Sequence, residues 1–218
     1  MAALHYEKIA EILERAHRID RKCELFGASG HQYKLNPPLE AAVVRSIEEA
    51  YQFTFPKDYF QFITQIANGG AGPDYGIMQF EDSLGRRAYE HYQEAYKRSL
   101  KTPFAPRPMS PEETRCCSFT WDSYQENPHK FFIYEKEDGI CDTDGFFVLG
   151  THGCQWDFGL VVSGEHKGQV FTKDNEGAFL LKAHSFSQFY QEWLDWLSDL
   201  DNIQRELDMW HERLAKRT

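Results

Sequence analysis

Apolar residues along the first 26 positions recur at helical spacing. Ile9, Ile12, Ala16, Ile19, Cys23 and Phe26 lie three or four apart, which predicts one helix with a single apolar stripe. Gly27-Ala28-Ser29-Gly30 ends it, since glycine makes helix continuation entropically costly. Asn36-Pro37-Pro38 predicts the start of a second helix, with Asn as cap and Pro in the first turn. Leu39, Val43, Ile47 and Ala50 would be its inward face. A third helix opens at Phe55-Pro56-Lys57-Asp58-Tyr59 and turns Tyr59, Phe62, Ile63 and Ile66 inward. It closes at Asn68-Gly69-Gly70, where glycine tolerates left-handed backbone. Residues 76–80 read as a short strand, 86–99 as a helix bearing Tyr89, Tyr92 and Tyr96, and the prolines at 103, 106, 108 and 111 as an extended loop.

From residue 130 the pattern changes to strands. Segments 131–135, 145–149, 158–163 and 169–172 are rich in aromatic and β-branched residues. Turn-forming clusters separate them: Asp138-Gly139, Asp144-Gly145, Ser163-Gly164 and Asp174-Asn175-Glu176-Gly177. Connections this short require antiparallel pairing, because a parallel crossover needs about a dozen residues or more. A last helix begins at Ser185, with Gln188 completing a capping box. Phe186, Phe189, Trp193, Trp196, Leu200, Ile203, Leu207, Trp210 and Leu214 form a heptad seam along it. The stripes at the two termini either pair within one chain or serve a second chain, as in a homodimer. The predicted class is α+β, an antiparallel sheet of about 5–6 strands flanked by N-terminal helices and a long C-terminal helix.

The 218 residues carry 34 acidic and 24 basic side chains, a formal net charge of −10. That balance disfavours direct binding of nucleic acid or anionic membrane, and makes a charged partner basic. No apolar run reaches the roughly 20 residues of a membrane span. The N-terminus is charged too early for a signal peptide, and five cysteines read as reduced thiols, so a soluble cytoplasmic protein is expected. The charge is also local: residues 37–84 have two basic and seven acidic groups, and residues 131–184 have four and nine. Each stretch is therefore at −5, and the remainder of the chain is neutral.

Ile47-Glu48-Glu49, Phe55-Pro56-Lys57-Asp58-Tyr59, Phe62 and Asn68-Gly69-Gly70 together resemble the N-terminal signature of the SUKH superfamily. That superfamily includes the fungal cell-wall-synthesis regulator and many bacterial immunity proteins. Gly145 to Gly150, Gly153, Leu160-Val161-Val162-Ser163-Gly164, Gly168-Gln169-Val170-Phe171 and Asp174 are similar to its strand repeats. Ser185-Phe186-Ser187-Gln188-Phe189 with Trp193-Leu194 is similar to its closing helix. The resemblance covers roughly 37–84 and 130–197 and divides the chain into three parts. Residues 1–35 are an N-terminal helical extension, 36–197 a SUKH-like domain with an insertion at 85–130, and 198–218 a C-terminal helix extension. Phe55 stands where the family usually has leucine. The resemblance implies an immunity protein that binds and neutralises a cognate toxin domain by occluding its active site. The alternative is a regulatory scaffold like the fungal relative. On physical grounds Phe55, Pro56, Asp58, Tyr59, Asn68, Gly69 and Gly70 are fold-making residues: Asp58 suits a helix N-terminus, and the glycines suit a chain reversal.

Enzyme-like groupings are thin. Cys116, Cys117, Cys141, Cys154 and His152 lack zinc-site spacing. A Cys154–His152 pair comes with no oxyanion hole or orienting group. Asp142-Thr143-Asp144-Gly145 fails the EF-hand frame and reads as a turn. No phosphate-binding or dinucleotide fingerprint occurs. Arg86, Arg87, Lys97, Arg98 and Lys101 among the tyrosines read as a solvated helix face. No catalytic residue, cofactor or metal is expected. The remaining candidates are acidic: Glu135, Glu137, Asp138, Asp142 and Asp144 in one inter-strand loop, with Asp157, Asp174 and Glu176 in later turns. Crowded carboxylates serve a fold little and suit a basic partner, with Trp121, Tyr124 and Trp156 as candidate anchors.

Overall fold

The aromatic and β-branched segments after residue 130 pair into one antiparallel sheet, seen in a computed structural model. It describes residues 4–85, 99–113, 121–134, 144–154, 156–174 and 177–216. The strands are β1 (Arg107–Pro108), β2 (Phe131–Ile133), β3 (Phe146–Gly153), β4 (Trp156–Val161), β5 (Val170–Lys173) and β6 (Ala178–Ala183). They are ordered β1-β2-β6-β5-β4-β3, and every neighbouring pair is antiparallel. The helices are α1 (Tyr6–Ile19), α2 (Ala28–His31), α3 (Ala41–Tyr51), α4 (Lys57–Gln61, continued by a π-helical turn at Phe62–Ile66), α5 (Phe80–Gly85), α6 (Trp121–Glu126), α7 (Phe186–Ser198) and α8 (Leu200–Ala215). The class is α+β. Among the described residues no helix is long and apolar enough to cross a membrane.

Several element boundaries differ from the sequence pattern, each for a local reason. The first helix stops at Ile19 rather than Phe26 because Asp20 turns out of it and is buried. Its carboxylate accepts hydrogen bonds from the Glu24 N–H (2.7 Å), the Leu25 N–H (3.1 Å) and the Tyr33 hydroxyl (2.8 Å), and Cys23 takes positive φ. Phe26 is thereby turned out, 65% exposed. The second helix starts at Ala41, not at the prolines, since the Leu39 N–H is held by the Ile63 carbonyl at 2.9 Å. Its buried positions are Val44 and Glu48, while Val43 is exposed.

Residues 76–80 do not form a strand. Gly76 has φ +90°, Ile77 bridges Gly70 alone, and Phe80 already begins α5. Two strands were not anticipated: β1, in the proline loop, and β6, whose Ala-Phe-Leu-Leu-Lys-Ala run has no β-branched residue and cannot be told from a helix by pattern. The C-terminal helix is two helices. Asp199 has extended backbone (φ −84°, ψ 101°), and its carboxylate caps α8 by accepting from the Asp201 N–H. Ser185 caps α7 as predicted, accepting from the Gln188 N–H. The expected helix at 86–99 lies outside the described residues except for Ser99.

Packing follows from these faces. One apolar cluster joins the helices to the sheet through Phe55, Tyr59, Phe62, Phe147, Phe158 and Phe186. Ile9, Ile12, Leu13 and Ala16 of α1 belong to it, and α1 packs on both α7 and α8. A second cluster fills the opposite face around Phe104. There Phe146 of β3 and Phe179 of β6 bring their ring centroids within 5.5 Å. Flat strands at that separation would lie ~14 Å apart, so the sheet curls around Phe104, whose N–H donates to the Ser163 carbonyl at 3.0 Å.

Candidate functional site

The resemblance residues build the frame. Glu48 is buried, and its carboxylate accepts from the Phe55 N–H (2.6 Å) and Arg45 (2.7 Å). The Arg45 guanidinium lies 3.9 Å over the Phe60 ring. Phe55 then packs on Tyr59, Phe80 and Phe147, with Pro56 as the cap residue of α4. Asp58 accepts from the Tyr59 N–H (3.0 Å) and from the Ser187 N–H (2.9 Å), tying the first turn of α4 to that of α7. Asn68 accepts from the Phe80 N–H (2.8 Å) and donates to Glu81 (3.1 Å). Gly69 and Gly70 take φ +71° and +102°. A Cβ at Gly70 would meet the Lys34 carbonyl oxygen at 2.4 Å. All seven fold-motif residues therefore shape the core and the reversal that carries the 72–76 loop.

Of the acidic candidates, Asp144, Asp157 and Asp174 are among the described residues. Glu135, Glu137, Asp138, Asp142 and Glu176 lie outside the described residues. Asp157 pairs in register with Lys173, next to Asp174, so these two acids share one end of β4. Asp144 lies at the other end, beside the pairing of Phe146 with Val161. Asp174 is 1% exposed, and its carboxylate accepts from the Ala178 N–H at 2.9 Å, so it builds the β5–β6 turn rather than a surface charge. Asp144 accepts from the Tyr134 hydroxyl at 3.0 Å; burial raises its pKa, and that hydrogen bond opposes the rise. Trp156 is half-buried against the small cluster of Met109, Tyr124, Phe131 and Ala178. Tyr124, also buried, donates to the Met109 carbonyl at 3.0 Å.

His152 is engaged on both nitrogens. Nδ1 lies 2.5 Å from Asp74 Oδ2 and Nε2 lies 3.1 Å from the Thr172 hydroxyl. In this arrangement neither nitrogen is available to activate the exposed Cys154 thiol, and Thr172 is buried away from any substrate. Cys116, Cys117 and Cys141 lie outside the described residues. Among the described residues no group of three or more His, Cys, Asp or Glu side chains is placed to hold a metal ion.

A feature the sequence pattern did not mark lies beside Asp74. A groove of about 220 Å³ opens between the 25–33 segment, the 72–74 loop and the α7–α8 pair. Its walls carry Phe26, Tyr33, Trp193 and Trp196, with Asp74 and Glu206 also lining it. Trp196 is 38% exposed, and Phe26 meets the exposed Tyr75 edge-on at 5.4 Å. Both Phe26 and Trp196 sit on predicted inward stripes. The chain break at Asp20 turns Phe26 out, whereas Trp196 lies off the buried face of α7, which is made by Phe186, Phe189, Tyr190, Leu194 and Leu197. His31 also lines the groove and is nine-tenths buried. Its Nδ1 accepts from the Tyr33 N–H at 3.0 Å. Burial pushes the imidazole down to about 4 despite nearby Asp20, so at neutral pH the ring is uncharged with its hydrogen on Nε2.

Chemically the groove offers aromatic rings, the carboxylates of Asp74 and Glu206, and the His31 imidazole to a group that enters from outside. No protein-family model matches the chain, and no curated protein or solved structure matches it either.

Proposed function

We propose that the chain is a non-enzymatic immunity protein acting in the cytoplasm, which binds a basic toxin domain and occludes its active site. What carries the reading is the groove with its exposed aromatic rim, Phe26, Tyr75 and Trp196, beside the carboxylates of Asp74 and Glu206. Aromatic side chains held exposed by a rigid frame are the anchors that dominate protein interfaces. The net charge of −10 steers a basic partner and speeds its association. The resemblance of the frame residues to the SUKH signature supplies the class of partner. Binding through this end needs no cofactor, and neither a membrane nor a nucleic acid takes part directly.

The test is complex formation with the toxin domain that this reading expects to be encoded by a neighbouring gene. On gel filtration the pair is expected to co-elute, and Phe26→Ala with Trp196→Ala is expected to weaken the complex at least tenfold. Separate elution of the two proteins would refute the reading. A second reading, a regulatory scaffold, is favoured by one observation: Met209, Trp210 and Leu214 stand about 40% exposed along the last turns of α8, an apolar edge on which another chain could dock as a homodimer or larger assembly.

A further inference from the structure

The groove's chemistry is specific enough to name what enters it. It is lined by four aromatic side chains, Phe26, Tyr33, Trp193 and Trp196; aromatic rings attract a cation through their quadrupole, and a planar guanidinium stacks on them better than a compact ammonium does. The two carboxylates are positioned to accept from such a group. Asp74 gives Oδ2 to His152, which leaves Oδ1 without a partner among the described residues. Glu206, exposed on α8, has no hydrogen bond or ion pair among them. An anion is disfavoured by the same two charges.

The groove also holds one donor. His31 is nine-tenths buried, and its Nε2–H finds no acceptor among the described residues, although Nδ1 is satisfied by the Tyr33 N–H. With the ring neutral and Nδ1 accepting, Nε2 carries the hydrogen, and this atom is not shut off from solvent, so it can donate to a group entering the groove. A guanidinium has only donors and cannot satisfy it. A peptide carbonyl can, and it carries no charge to clash with Asp74 and Glu206.

We infer that the groove is the receptor for an arginine of a protein partner, its guanidinium between the aromatic rings and the Asp74 and Glu206 carboxylates, and a backbone carbonyl of the same segment accepting from His31 Nε2. This rests on the binding function proposed above and deepens it, since it names the side chain that anchors a basic partner. The close packing of the wall supports it. Gly27, between Phe26 and α2, takes φ +76°, and a Cβ there would meet the Asp74 carbonyl oxygen at 2.0 Å. Only glycine lets these two walls approach so closely, so a side chain at position 27 would push the 72–74 wall away from the groove.

The probe is the blocked tripeptide acetyl-Gly-Arg-Gly-amide, titrated into the full chain and followed by the indole N–H resonances of Trp193 and Trp196 in a nitrogen–proton spectrum. Saturable shifts of these two indoles are expected. The citrulline analogue, isosteric but uncharged, is expected to bind at least tenfold more weakly, and Glu206→Gln to weaken the arginine peptide about fivefold. Glu206 and Phe26 are exposed, so Glu206→Gln and Phe26→Ala leave the fold intact, as circular dichroism will verify. Absence of saturable shifts overturns the inference, as does equal affinity for the citrulline peptide. The toxin-binding test stands apart from this one. A complex unaffected by arginine replacements on the toxin refutes the receptor while leaving the immunity function in place. Arginine-peptide binding without any toxin complex refutes the function and keeps the receptor.

Discussion

At the scale of single residues, the polar groups that decide this structure are buried ones. His31 is the case with a measurable consequence. Its folded pKa of about 4 lies below the ordinary 6.5. Above pH 6.5 both states are neutral and the shift has no effect. As pH falls below 6.5, the unfolded chain takes a proton that the folded chain refuses, so stability declines by up to about 1.4 kcal/mol per pH unit. By pH 4 the loss amounts to at most about 3 kcal/mol. His31→Asn keeps an acceptor for the Tyr33 N–H but does not titrate here. Urea unfolding at pH 7 and 4.5 is expected to show a smaller pH effect in this variant than in the parent; equal slopes would place the titration elsewhere. Little of this was legible in the sequence. Asp20 and Glu48 look like surface acids on amphipathic helices. Their burial follows from neighbouring N–H groups that need acceptors, at Glu24, Leu25 and Phe55, and such needs appear only once the chain has turned. Asp58 was the exception, because a carboxylate at a helix start has a local reason to be there.

At the scale of elements, periodicity located most helices and strands but misjudged where they stop. A stripe of apolar residues continues in the sequence across Asp20 and Asp199, whereas the backbone breaks at both. The C-terminal seam shows the cost of that assumption. In α7 the buried side is Phe186, Phe189, Tyr190, Leu194 and Leu197, and after the break only Ile203 and Leu207 of α8 are buried. Ile203→Ala is therefore expected to cost about 2–4 kcal/mol, the range for a fully buried aliphatic truncation. Leu214→Ala, at an exposed position, should stay within about 0.5 kcal/mol. Thermal unfolding of the two variants separates this arrangement from one long buried seam, in which both would be costly. β6 escaped notice for a different reason. Its alanines and leucines suit a helix equally, and it is a strand because β2 and β5 supply hydrogen-bonding partners on both sides.

At the scale of the molecule, two packing arrangements shape the end of the protein where the proposed binding groove lies. The sheet curls around Phe104, which covers its far face together with Phe146, Phe171 and Phe179. The N-terminal helix, the 25–33 segment and the α7–α8 pair meet on the other side and leave the aromatic groove where α1 and α7 both end. The acidic character visible in the composition is divided among turn-forming, frame-forming and groove-lining roles. Asp174 and Glu48 serve the fold, whereas Asp74 and Glu206 face the groove. The sequence pattern points to a basic partner and to strand-connecting loops as its contact; the groove is not legible in it, because its walls come from the 25–33, 72–74 and 193–206 segments, far apart in the chain. An inhibitor that works by occlusion is consumed one for one, whereas an enzyme that destroys a toxin is not. The most direct measurement is a titration of this chain against a fixed amount of the proposed toxin partner, sought among the products of neighbouring genes, with toxin activity as the readout. Activity is predicted to fall linearly to an end point at one chain per toxin molecule and to return when the complex is dissociated. Complete and lasting inactivation at a small fraction of an equivalent, or no inhibition at any ratio, would contradict the account.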